Sequence, residues 1–229
     1  MRVSRLASAA WLVDIVFPRR CLACGAPADL LCPACHARLR VVGSPCCRLC
    51  GAPTRWPVDR CRECSGRRLA FASARAAVLY DGPARALVRA WKEHGVRRVA
   101  ALAAELVTAH IERPPADVIA YIPPDPARQL HRAAHPAQAL AVELAARWQL
   151  VPGPPIARTR SAGRQAGLAH DARRRNVRGL FAARATPDTS VVLVDDVYTT
   201  GATAAAAAES LRRAGAVEVH VVTFARTPR

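Results

Sequence analysis

Four C-x-x-C pairs crowd into residues 21–64: Cys21/Cys24, Cys32/Cys35, Cys47/Cys50 and Cys61/Cys64. They form an internal repeat, because "CLACGAP" at 21–27 returns as "CRLCGAP" at 47–53, each followed by a second pair. A C-x-x-C turn aims two thiolates at one point, and two such turns complete a tetrahedral Zn²⁺ site. The simplest pairing is sequential, 21/24/32/35 on one zinc and 47/50/61/64 on another; the spacing leaves one or two zinc sites open. Loops of only seven and ten residues separate the paired turns. Such a module buries little surface, so the metal must supply most of its folding energy. Four protein ligands close a site against substrate, which makes these sites structural and not catalytic. Redox dithiol chemistry is the alternative, but it needs one pair and not a repeat of four. Cys46 is left over as a bystander.

The first 18 residues resemble a signal peptide, but Asp14 interrupts the apolar stretch. Leu6, Ala10, Val13 and Phe17 recur at helical spacing before Pro18, so a short docking helix over 1–18 is the expectation. No apolar run is long enough to span a bilayer. The chain is expected to be cytoplasmic, and in a reducing compartment nine cysteines argue for metal and not for disulfides.

From about residue 70 the pattern changes. Strands are expected over 71–82, 117–124, 190–197 and 217–226, and helices over 83–95, 96–112, 136–150 and 202–215. Alternating strands and helices predict an α/β domain with a parallel sheet covered on both faces. The apolar run 191–194 suits a central strand. The domain expectation is therefore a zinc ribbon over 19–69 and an α/β domain over 70–229.

The central strand ends in Asp195 and Asp196, followed by Thr199, Thr200, Gly201, Ala202 and Thr203 at a helix start. In open α/β sheets ligands bind beyond the carboxyl ends of the strands. The threonine turn offers backbone N–H groups, three hydroxyls and a positive helix end, which together make a phosphate cradle. Carboxylates repel phosphate, so the aspartates suit sugar hydroxyls or a water-held Mg²⁺. A phosphorylated ribose satisfies both halves. A plainer reading also stands: the aspartates open a turn and a threonine caps a helix.

Lys and Arg exceed Asp and Glu by 34 − 17 = +17, and Lys92 is the lone lysine. Two Zn(Cys)₄ centres, each formally −2, bring the loaded chain nearer +13. Such a surface favours phosphates, nucleic acid or anionic lipid. Residues 156–184 hold eight arginines against one acid, Asp171.

The string D-D-x-x-x-T-G-x-T after an apolar strand resembles the phosphoribosyl pyrophosphate (PRPP) motif of type I phosphoribosyltransferases. With the cysteine repeat, the chain resembles the competence protein F (ComF) family, of the ComFC/GntX-like kind, over nearly its full length. The segment "RTRSAGRQAGLAHDARRRNVRGLF" is similar to the family's R-x-R-x-T-x-x-Q-x-x-L…R-x-x-N-V-x-G-x-F, matching at Arg158, Arg160, Gln165, Leu168, Arg173, Asn176, Val177, Gly179 and Phe181. "WKEHG" around Lys92 is similar too. Ala133 departs from the family, standing where a glycine is usual.

The resemblance implies a type I phosphoribosyltransferase-like sheet behind a double zinc ribbon. It implies PRPP with Mg²⁺ as ligand, Asp195 and Asp196 as the catalytic pair on the ribose, and residues 199–203 on the 5′-phosphate. Lys92, Arg158, Arg160, Gln165, Arg173 and Asn176 are then the pyrophosphate or polyanion contacts, the arginine-rich stretch serving as a mobile loop. The acceptor stays open, because no residue stands out as its general base. A binding role remains as the alternative, with single-stranded DNA held in DNA uptake by ribbons and arginines. The 11 aromatic residues, of which the ribbon half offers Trp11, Phe17 and Trp56, make stacking platforms sparse for that role.

Overall fold

A computed structural model describes residues 19–125, 135–159 and 179–228. The docking helix expected over 1–18 lies outside the described residues, as do Ala133, Arg160, Gln165, Leu168, Arg173, Asn176 and Val177.

The cysteine repeat is a repeat of backbone as well as sequence. Cys21 N donates to Ala26 O and Cys47 N to Ala52 O, both at 2.8 Å. Gly25 N and Gly51 N close each knuckle on Cys21 O and Cys47 O, at φ of 77° and 67°. The bridges Arg20–Pro27 and Cys46–Pro53 flank them. Cys46 thus occupies the repeat position that Arg20 holds in the first knuckle, which explains why it joins no quartet. In the first module Cys32 caps a short helix, α1 (Pro33–Ala37), its sulfur accepting from Cys35 N at 3.4 Å.

The strands are β1 (Ser73–Leu79), β2 (Val118–Tyr121), β3 (Val151–Pro152), β6 (Ser190–Tyr198) and β7 (Glu218–Arg226), in the spatial order β1-β7-β6-β2-β3, all parallel. Helices α2 (Gly82–His94), α3 (Val99–His110), α4 (Pro136–Trp148) and α5 (Ala202–Arg213) connect them. A smaller antiparallel pair, β4 (Ile156–Arg158) and β5 (Phe181–Ala183), joins the two ends of the arginine-rich stretch. Those ends, expected as loop, are therefore a paired stem. The α/β class with a parallel sheet flanked by helices is the fold found.

Both sheet faces are buried, and alternation sorts the side chains. Val192, Val194, Val222 and Phe224 meet Leu87, Val88, Trp91, Val107, Leu140 and Leu144 of α2, α3 and α4. Val191, Leu193, Val219 and Val221 meet Ala204, Ala207, Ala208 and Leu211 of α5. The alanine spacing i, i+3, i+4 gives α5 a thin face that lies close to the sheet. Leu193 and Leu211 have no exposed surface, so truncating either to alanine costs about 2–5 kcal/mol.

The cysteine modules are built into this core. Cys47, Cys50, Cys64 and Phe71 belong to the α5-side cluster. Leu22, Leu30 and Leu39 of the first module pack on the other. Between the modules, Val42 N donates to Ala77 O (2.9 Å) and Leu79 N to Arg40 O (2.7 Å), which covers the open edge of β1.

Candidate functional site

Sheet order places the site. The chain leaves β2 through α4 towards β3 on one side, and leaves β6 through α5 towards β7 on the other. Adjacent strands whose connections run in opposite directions leave a crevice beyond their carboxyl ends. A cleft of about 260 Å³ sits there, lined by Lys92, Asp125, His135, Gln138, Arg158, Asp195, Asp196 and Thr203 among others.

Asp195 and Asp196 lie on β6, one residue apart in a strand, so their side chains leave opposite faces. Asp196 is buried, and its Oδ2 is 2.8 Å from Lys92 Nζ on α2. Asp195 Oδ1 accepts from Asp196 N at 2.9 Å. Its carboxyl is pushed up to about 7, first by burial and then by the Asp196 charge; Lys92, the Asp196 N–H and Arg158 act the other way. The two acids therefore differ: one is half of an ion pair, the other a group balanced between protonation states at neutral pH.

Behind them the turn bends at Gly201, which has φ 71° and serves as N-cap of α5. A Cβ on Gly201 would stand 2.1 Å from Tyr198 Oη. Only glycine fits, through both sterics and backbone sign. Ala202 N donates to Thr200 Oγ1 at 3.3 Å, and Thr199 is exposed. The first turn of α5 carries no acid. The loop thus presents backbone donors at a positive helix end next to the acid pair.

Lys92, Arg158, Asp195, Asp196 and Thr203 are brought together in one cleft. Arg158 also lies over the Phe181 ring, its Cζ 4.8 Å from the centroid. Sequence reading missed the opposite wall, Tyr121 to Asp125; His135 and Gln138, at the start of α4, belong to the segment 130–138 that the family resemblance sets near the diphosphate side. The signal for the wall was available: "YIPPD" ends an apolar strand just as "VYTTG" does.

The other chemistry-bearing groups are the two quartets, Cys21/Cys24/Cys32/Cys35 and Cys47/Cys50/Cys61/Cys64, the sulfurs of each lying within 4.8 Å of one another. Tetrahedral Zn–S bonds of about 2.3 Å imply sulfur–sulfur edges of about 3.8 Å. Cys24–Cys32 and Cys47–Cys64 are 3.6 Å apart, Cys50–Cys61 3.5 Å and Cys61–Cys64 3.9 Å. The quartets fit zinc, and the sequential pairing with two sites is the one found. Burial opposes ionisation in both, yet surrounding backbone N–H groups draw Cys21 down to about 6 and Cys47 to about 7.

Residues 12–65 match the family described as the double zinc ribbon domain. No curated protein matches the chain. Among solved structures, the UMP synthase of Leishmania donovani is similar at 23% identity and a TM-score of 0.30. The similarity covers 61% of this chain and 24% of that one, so the chain spans about a quarter of that enzyme's length. Among the described residues no helix is long and apolar enough to cross a membrane.

Proposed function

We propose that the switch-point cleft binds PRPP and that the chain is a phosphoribosyltransferase-type protein. One observation carries the reading: Asp195 and Asp196, inside β6 just before its end at Tyr198, and Thr203, in the first turn of α5 after the Gly201 bend, line one crevice beyond β6 and β2. Residues 199–203 hold the 5′-phosphate through backbone N–H groups. Asp195 and Asp196 take the ribose hydroxyls. Arg158 and Lys92 line the side where the diphosphate lies, with Arg160, Gln165, Arg173 and Asn176 assigned there by the motif.

Among the described residues only the cysteine quartets gather three or more metal-ligating side chains. Mg²⁺ would enter with the diphosphate of the substrate, where it would neutralise the leaving group. In transfer, the bond from C1 of the ribose to the diphosphate oxygen breaks and a bond from C1 to an acceptor atom forms. Diphosphate departs with its electron pair, and the acceptor loses a proton. Thermal-shift titration tests the reading: PRPP with Mg²⁺ should stabilise the zinc-loaded chain more than ribose 5-phosphate or diphosphate alone.

A second reading is single-stranded DNA binding in DNA uptake. It is favoured by Trp56, 64% exposed in the second ribbon, whose Arg48, Arg55 and Arg60 are also exposed. Its test is affinity for a single-stranded oligonucleotide that falls steeply with salt and survives Asp195→Asn.

A further inference from the structure

The second cysteine quartet touches the loop that follows β6. Arg67, three residues after Cys64, donates from Nη2 to Thr200 O at 2.7 Å. Arg226, at the end of β7 and 2% exposed, donates from Nη1 to Cys50 O at 2.8 Å and pairs with Glu63 Oε2 at 3.1 Å. The same guanidinium lies over the Tyr198 ring, Cζ 5.4 Å from its centroid. Phe71 meets the Tyr198 ring edge-on, with centroids 6.5 Å apart. Tyr198 Oη, buried, has no hydrogen-bond partner and occupies the space a Gly201 side chain would need. Two chains of direct contact therefore run from the quartet into the loop, one ending on Thr200 O and the other against Gly201.

We infer that Arg67 and Arg226 are positioning residues through which the metal-loaded second quartet holds the 199–203 loop in anion-binding geometry. In a trans peptide the C=O and the following N–H point in opposite directions. Fixing Thr200 O on Arg67 therefore aims Gly201 N–H away from the ribbon. Wedging Tyr198 under Gly201 holds that residue at positive φ. Both guanidiniums depend on the quartet module: Cys50 supplies an acceptor, Glu63 sits between ligands Cys61 and Cys64, and Arg67 donates along the same turn to Glu63 O at 3.4 Å. Loss of metal would free these turns and, with them, the loop. The first quartet has a different attachment. It holds α3 and α2 through Asp29–Arg98 and Arg40–Asp81.

The choice of PRPP as the anion rests on the proposed function; the coupling itself does not. Hydrogen exchange of the amides of 199–205 is measured on the full zinc-loaded chain, in wild type and in Arg67→Ala, with zinc content determined on each. At equal zinc content, exchange in that segment should quicken on the order of tenfold in the variant, with the amides of α3 unchanged. Stripping zinc from the wild type should quicken the same segment. Mg²⁺–PRPP affinity in Arg67→Ala should weaken by a similar factor. Should Arg67→Ala lose metal, Glu63→Gln, which keeps the side-chain shape and removes the charge facing Arg226, gives the same reading. Unchanged exchange in metal-replete variants overturns the inference. Faster exchange in a protein whose wild type ignores PRPP supports the coupling and overturns only the choice of ligand.

Discussion

Lys92 Nζ lies 2.8 Å from Asp196 Oδ2, so the chain's lone lysine is tied to the buried member of the acid pair. The sequence suggests Lys92 as a diphosphate contact; its place on the cleft wall also makes it the counter-charge of the pair. Lys92→Met removes a charge-assisted bond from a half-buried setting. It should cost about 2 kcal/mol of stability at pH 8. It should also move the Asp195 carboxyl still higher, since Lys92 is one of the groups holding it down. Denaturant titration checks the first effect, and carboxyl titration by NMR the second.

Asp195 gives a signed pH prediction. Its folded-state carboxyl stands at about 7 against an ordinary value of 3.8. A raised acid means that the folded state keeps a proton the unfolded chain has lost. Stability from this group therefore falls as pH rises between about 4 and 7. Asp195→Asn abolishes that fall, so the variant should gain on wild type in melting temperature at pH 8 relative to pH 5. Ligand binding runs the other way: Mg²⁺–PRPP affinity should rise as pH passes upward through about 7, and the Asn variant should lose that dependence. A site that binds best where it is least stable is a common functional compromise.

Gly201 allows no side chain. Gly201→Ala forces a Cβ onto Tyr198 Oη and strains a φ of 71°, and should cost about 2–3 kcal/mol and abolish anion binding. Tyr198→Phe does not relieve the clash, because Cζ and Cε2 would still be 2.5 and 2.9 Å from that Cβ. Alone, Tyr198→Phe removes a buried hydroxyl without a partner and should leave stability unchanged or raised. Thermal unfolding of the two single variants and the double variant checks both statements.

Metal content follows from the quartets. Complete thiol modification should release two zinc ions per chain. Cys50→Ser should release one of them and loosen the core as well, because Cys47, Cys50 and Cys64 lie in the α5-side cluster. Cys24→Ser, at an exposed ligand, should lose the other with a smaller loss of core stability. Zinc-release titration alongside denaturation distinguishes the two.

Much of this was legible in the sequence for local reasons. The run Val191–Val194, the alanine face of α5 and the Gly95 C-cap of α2 (φ 64°) are each encoded within a few residues. So are the cysteine knuckles and the acid-to-glycine turn. Long-range pairing was not legible. Arg226 meets Cys50 O across 176 residues, and Arg67 meets Thr200 O across 133. Neither contact leaves a pattern near either partner, and in a chain this rich in arginine a structural guanidinium looks like any other. β3 is only two exposed residues, one of them a proline, and shows neither alternation nor an apolar run. β4 and β5 are three residues each and find one another across the arginine-rich stretch. His135 and Gln138 reach the cleft because α4 begins at the switch point, a fact of strand order and not of local sequence.

On the proposed reading, Asp195, Asp196 and the 199–203 loop form one ligand site. Calorimetric titration of Mg²⁺–PRPP into the zinc-loaded chain, beside the Asp195→Asn/Asp196→Asn double variant, tests it most directly. Saturable one-site binding to the wild type, lost in a double variant that keeps its fold and its zinc, is the expected result. Absence of binding by the folded, metal-loaded wild type, or equal binding by the double variant, would contradict it.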